Sequence, residues 1–117
     1  MRGIAQYQKS RIEAASQQQI MIMLVRTAYR KLIEAEDLLD QPAELTQCLH
    51  HVRAILLELN HALDHDLAPE LCAKLSRLYV WGVKETIAIP TEPERLDALQ
   101  KVVASLLEGW EAAVSGG

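Results

Sequence analysis

Apolar residues recur along this chain at spacings of three and four, and no sustained alternation of period two appears. That periodicity predicts helices rather than strands. Ser16, with Gln19 three residues on, has the form of a capping box and opens an apolar-rich stretch that reaches about Leu39. Gln41-Pro42 breaks the pattern, and Pro42 suits the first turn of a second helix, where its missing N–H is not needed. Leu67-Ala68-Pro69 punctuates again. A second capping box, Thr91 to Glu94, precedes the last periodic stretch. The predicted helices cover about 17–39, 42–64, 69–88 and 94–114, and residues 1–15 form a polar lead-in, either a short helix or an arm. Helices of roughly 20 residues joined by short loops pack naturally as an antiparallel up-down four-helix bundle. The chain is therefore read as all-α, a single bundle domain over residues 1–117 with a short N-terminal arm or helix.

Placing side chains at 100° per residue shows which faces need a core. The last helix has one stripe: Leu96, Leu99, Val102, Val103, Leu106, Leu107, Trp110, Ala113 and Val114. The second has Leu45, Cys48, Leu49, Val52, Ile55, Leu56, Leu59, Ala62 and Leu63, with Leu57 well off it and Asn60 at its edge. The other two helices carry surplus. In the first, Ile20, Met21, Leu24, Ala28, Ala35, Leu38 and Leu39 form one seam, and Ile22, Val25, Tyr29 and Ile33 form another. In the third, Leu71, Leu75, Leu78, Tyr79 and Val83 form the seam, while Val80 and Trp81 point away.

A four-helix bundle buries one stripe per helix, so second stripes require a cover. The arm and a wide helix contact are one solution. A second copy of the chain, in a self-associating adaptor or assembly module, is another. A groove for the apolar helical segments of a different protein is the third, and the Met-containing first helix suits that mode. On the groove reading the contact residues are Ile22, Val25, Tyr29, Ile33, Leu57, Val80 and Trp81. The alternative location is the second helix around Leu56, Leu59 and Asn60.

Composition narrows the function classes. Half of the 117 residues are apolar, which excludes a disordered tail. Lys plus Arg is 12 against 16 Asp plus Glu, so the net charge is −4, and a sequence-independent grip on nucleic acid is not expected. No apolar run approaches the ~20 residues that cross a bilayer. The N-terminus has no signal-peptide pattern, so a cytoplasmic location is expected, with Cys48 and Cys72 as free, packed thiols.

Candidate chemistry is sparse. Glu58-Leu59-Asn60-His61 is a single Glu-x-x-His, half of what a di-iron bundle needs, and Glu58 and His61 sit off the core stripe. His61 and His65 share a helix face without a third ligand nearby. No nucleophile elbow, phosphate-binding loop or dinucleotide glycine pattern occurs. No enzyme, no catalytic residue, no metal and no cofactor are expected.

Several residues together suggest a family. Tyr7-Gln8 stands near the N-terminus and Ala15-Ser16 follows. Ile55-Leu56-x-Glu58-Leu59 precedes Leu63-Asp64, then Leu78-Tyr79-x-Trp81, with a lone Trp110 in the last helix. This order resembles the FliS family of flagellar export chaperones, over nearly the whole chain. The resemblance implies a small antiparallel helical bundle that binds the C-terminal segment of flagellin in the cytoplasm. It would prevent premature polymerisation and assist flagellar type III export. Other flagellar export or regulatory proteins are further partners it suggests, with the chain a monomer or weak homodimer. It also implies that Tyr7 and Gln8 cap part of the apolar surface. Where the family usually has Pro after Ala-Ser, this chain has Gln17, and its first helix carries its aromatic only at Tyr29.

Overall fold

A computed structural model describes residues 2–115, apart from the side chains of Arg2, Tyr7, Ser10, Ala14 and Ala15. Four helices follow one another: α1 (Arg2–Glu36), α2 (Pro42–His61), α3 (Pro69–Ala88) and α4 (Leu96–Ser115), the last preceded by a 3-10 turn at Pro93–Arg95. No strand occurs among the described residues. Pro42 and Pro69 stand in the first turns of α2 and α3, where no N–H is missed.

Two start signals are overridden. Ser16 does not open a helix, because α1 runs unbroken through it. A capping serine must leave the helical conformation. Its neighbours Glu13, Ala14, Ala15 and Gln17–Gln19 all favour helix, and no proline interrupts them, so continuing costs less than breaking. Thr91 does not cap α4 either. Its hydroxyl donates to the Ala88 carbonyl at 3.1 Å and so closes the end of α3.

Pairwise contacts establish the topology. Gln100 meets Leu32 and Glu36, whereas Glu111 meets Arg26, so α4 runs antiparallel to α1. Arg53 bonds Thr86 and Leu56 lies against Gly82, so α3 runs antiparallel to α2. Arg95 pairs with Glu85 and Leu99 lies against Gly82, giving the same relation between α4 and α3. Helix α1 packs on α2 and α4, and α2 packs on α3; the α3–α4 seam is the thinnest of the four.

The core line of α1 is Val25, Ala28, Leu32 and Ala35, which lies between the two seams read from the sequence and merges them. Ile20 and Leu39 are exposed instead. Helix α2 buries the expected Leu45, Cys48, Leu49, Val52, Ile55, Leu56 and Leu59. Helix α3 turns Cys72, Tyr79, Gly82, Glu85 and Thr86 inward, and leaves Leu71 and Leu78 in solvent. A Cβ on Gly82 would stand 2.9 Å from Leu56 Cδ1 and 3.4 Å from Leu99 Cδ1, so α3 approaches both leucines closely there. Helix α4 buries Leu96, Leu99, Gln100 and Val103, while Leu106, Leu107 and Trp110 are half-buried and Val114 is exposed.

Polar pins tie the helices together. The Gln100 side-chain amide donates to the Leu32 carbonyl at 2.9 Å and to the Glu36 carboxylate at 2.6 Å. The buried Glu85 carboxylate accepts from Arg95 at 3.1 and 3.2 Å. Arg53 donates to the Thr86 hydroxyl at 3.0 Å, and that hydroxyl donates onward to the Val83 carbonyl. Breaking such a pair strands a buried polar group, which costs more than the pair itself contributes.

Leu59→Ala is expected to cost ~2–5 kcal/mol, because Leu59 is fully enclosed. Leu106→Ala, at a half-buried site, should cost clearly less; paired urea melts check the order. Burial raises the Cys48 thiol above its ordinary 9.0 and the Tyr79 hydroxyl above its ordinary 10.0, the latter despite a hydrogen bond from Trp110. Both groups are held in their neutral forms. Their contribution is complete below the ordinary values and is lost as pH climbs through the raised ones. Urea midpoints should therefore fall above pH 9, and less steeply in Tyr79→Phe.

Candidate functional site

With Gly82 and Thr86 turned to the core, α3 must carry other side chains outward. Val80, Val83 and Ile87 recur at spacings of three and four on the side of α3 that adjoins α2. On α2, Arg53, Leu57 and Asn60 recur at four and three, and Arg53 reaches Thr86, so this is the side that meets α3. By helical phase the two stripes fall on the outer flanks of the packed α2–α3 pair, called here the ridge. Leu57 is 51 % exposed, Val80 41 % and Ile87 60 %.

Asn60 lies at the end of this ridge. Its Oδ1 is buried, and among the described residues no donor reaches it. A buried amide oxygen without a donor forfeits the hydrogen bond it made to water, at a cost of roughly 1–3 kcal/mol.

Val80 also lines a shallow depression of about 330 Å³ on the outer face of α3, with Trp81, Ser76, Arg77 and Lys84. Arg77 and Lys84 stand one turn before and one turn after Val80–Trp81. An apolar patch on a net-acidic chain is thus flanked by cations. A larger groove of about 560 Å³ between α1 and α2 is lined by Lys31, Glu34, Glu44, Cys48, His51 and others, a mixed polar set unlike the ridge. The Cys48 thiol there donates to the Lys31 carbonyl at 3.0 Å.

The residues picked from the sequence separate into groups. Val25, Leu56 and Leu59 are core residues, and Ile22 is buried at 8 % exposure, so none of the four offers surface. The second stripe of α1 was the flank of a broad core face. Tyr29 and Trp81 are half-buried and pack against the core. Ile33 is 41 % exposed, but it shares a face with Tyr29 and Arg26. Arg26 bonds Glu111 of α4, so Ile33 lies on the edge away from the ridge. Gln8 is exposed on the projecting start of α1, and the Tyr7 side chain lies outside the described residues. Helical phase thus puts Leu57 and Asn60 on α2 and Val80 on α3 toward the outer flanks of that helix pair, with Trp81 next to Val80, and leaves Ile33 and Gln8 elsewhere.

Ile87 was missed, although its spacing of seven from Val80 puts it on the same helix face. Leu71 and Leu78, also seven apart, were assigned to the core stripe and are exposed at 57 % and 38 %.

Among the described residues, no group of three or more His, Cys, Asp or Glu could hold a metal ion, and no helix is long and apolar enough to cross a membrane. His61 and His65 are both exposed. A family model described as Flagellar protein FliS matches residues 1–116. No curated protein matches the chain. Replacing His61 and His65 together by Gln should leave the melting midpoint unchanged. Elemental analysis of the purified protein should find no stoichiometric metal.

Proposed function

The chain belongs to the FliS family of flagellar proteins, and from that premise we propose that it is a cytoplasmic export chaperone whose client, the C-terminal segment of flagellin, docks on the α2–α3 ridge. The observation that carries this reading is the exposure of Leu57, Val80 and Ile87 on two helices that pack against each other. An amphipathic segment that folds into a helix would lay its apolar face over the three aliphatic side chains. Arg77 and Lys84 favour a client with acidic residues beside its apolar stripe.

Holding such a segment keeps its apolar face from pairing with other copies, which is how binding would prevent premature polymerisation. The bound segment must be ordered, and that cost sets affinity well below what the contact area alone suggests.

Val80→Lys and Leu57→Lys test the site. Both positions are open to water in the free protein, so thermal melts should match the parent within ~0.5 kcal/mol. In the complex the ammonium would be desolvated without a partner. Calorimetric titration with a flagellin C-terminal peptide should show affinity falling by ~10-fold or more, which is about 1.4 kcal/mol. Lys84→Glu should weaken binding less, and added salt should shrink its effect. Parent-like affinity in both lysine variants would place the client on another face.

A further inference from the structure

Arg53 is half-buried between α2 and α3, and its guanidinium meets no carboxylate among the described residues. Nε donates to the Thr86 hydroxyl at 3.0 Å, and Nη2 donates to the Thr86 carbonyl at 3.5 Å. Both acceptors are neutral. A cation drawn out of water is normally set beside an opposite charge, because desolvation is otherwise uncompensated. Part of its work is local: α3 has no basic residue in its last turn, and Arg53 supplies from α2 the cation that suits a helix C-terminus. That task engages one edge of the guanidinium only.

A guanidinium is a flat fork of N–H donors. Thr86 takes the side edge, made by Nε and one hydrogen of Nη2. The end edge, made by Nη1 and the other hydrogen of Nη2, has no acceptor among the described residues. An edge of this kind pairs with both oxygens of one carboxylate. The Thr86 contact also steadies the fork, so less side-chain freedom is lost when an anion arrives. No internal acid is placed to fill the edge. On α2, Glu44 and Glu58 lie ~180° and ~140° round the helix from Arg53. On α3, Glu85 is turned to Arg95, and Glu70 stands in the first turn, about 24 Å along the helix from Thr86.

We propose that the end edge of Arg53 binds a carboxylate of the client while the client's apolar face covers Leu57, Val80 and Ile87. The inference rests on the ridge as the docking surface and adds what sets the client's position there. Leu57 follows Arg53 by one helical turn, and Ile87 adjoins Thr86, so the fork stands at the Ile87 end of the ridge. Aliphatic contacts are non-directional and let a helix slide along them. One bidentate pair at the end of the lane fixes register and direction. The carboxylate belongs either to an Asp or Glu beside the client's apolar stripe or to the client's own chain terminus.

Calorimetric titration with a flagellin C-terminal peptide in three forms tests this: the free acid, the C-terminal amide, and a form with Asp and Glu replaced by Asn and Gln. Arg53→Gln should weaken binding of the free acid by ~10-fold or more. For the form that lacks the recognised carboxylate, the same substitution should change affinity by less than ~2-fold. Loss of the Arg53 effect in the amide identifies the chain terminus, and loss in the Asn/Gln form identifies a side chain. Arg53→Lys keeps the charge without the fork and should fall between parent and Arg53→Gln; it also carries the comparison if circular dichroism shows Arg53→Gln unfolded. Equal weakening of all three forms would make Arg53 a structural pin and overturn the proposal. Leu57→Lys and Val80→Lys separate the two readings. If both bind like the parent, the ridge falls and the carboxylate site falls with it. If both lose binding while the Arg53 variants discriminate no peptide form, the carboxylate site alone falls.

Discussion

The close approach at Gly82 is the contact on which the remaining geometry turns. At that position α3 meets Leu56 of α2 and Leu99 of α4, with no room for a Cβ against the Leu56 methyl. Once the glycine is against the core, helical phase places Tyr79 and Thr86 inside with it, one turn to either side. Thr86 is then in place to take the Arg53 hydrogen bond, which locks α3 against α2. Glu85 is drawn inward at the same level, and Arg95 must follow to neutralise it. That pair anchors the turn leading into α4.

The same rotation sets what α3 shows to solvent. An α3 that presented Leu71, Leu75 and Leu78 to the core would bury a more apolar face. It would keep Gly82 inward, which lies on that same stripe, but would swing Thr86 away from Arg53 and so lose the bond that locks α3 against α2. The fold accepts exposed leucines in exchange for shape and polar satisfaction. As a result, the proposed docking ridge and the thin α3–α4 seam both carry apolar side chains that a minimal bundle would have hidden. Surface left apolar by a packing constraint is available to a partner without any further cost to the fold.

Helix α1 embodies a different constraint. Its inner half is fixed by Val25, Ala28, Leu32 and Ala35 in the core and by the Gln100 amide, which bonds the Leu32 carbonyl. Its outer half is exposed from Gly3 to Ile20 wherever the side chain is described, and it stays helical because nothing in its sequence ends the helix that the core has nucleated. One element therefore serves the bundle at one end and offers an unshared face at the other.

Amphipathic phase alone identified the helical class, and the prolines at 42 and 69 marked two helix starts. The buried faces of α2 and of the first half of α4 were legible because each has one narrow apolar stripe. Leu57 and Val80 were legible as outward residues for the same reason: each lies far from any plausible core direction on its own helix. Helix α1 was misread, since its apolar residues span so wide an arc that the true core line through Val25 and Leu32 looks like a gap between two seams. Ile22 and Val25 then passed for surface. Helix α3 was misread because its inward face is made of Cys72, Gly82 and Thr86, small or polar residues that periodicity does not count as core. Ser16 and Thr91 had the composition of caps, but whether a hydroxyl caps a helix depends on which backbone groups lie free beside it. The local pattern of the chain thus determined that it forms helices and where most of them begin, because those are interactions between near neighbours. Which face of α1 points inward was decided by its packing between α2 and α4, and which face of α3 by its fit against Leu56 and Leu99 at Gly82. That contact joins three helices and exists only once the chain has folded.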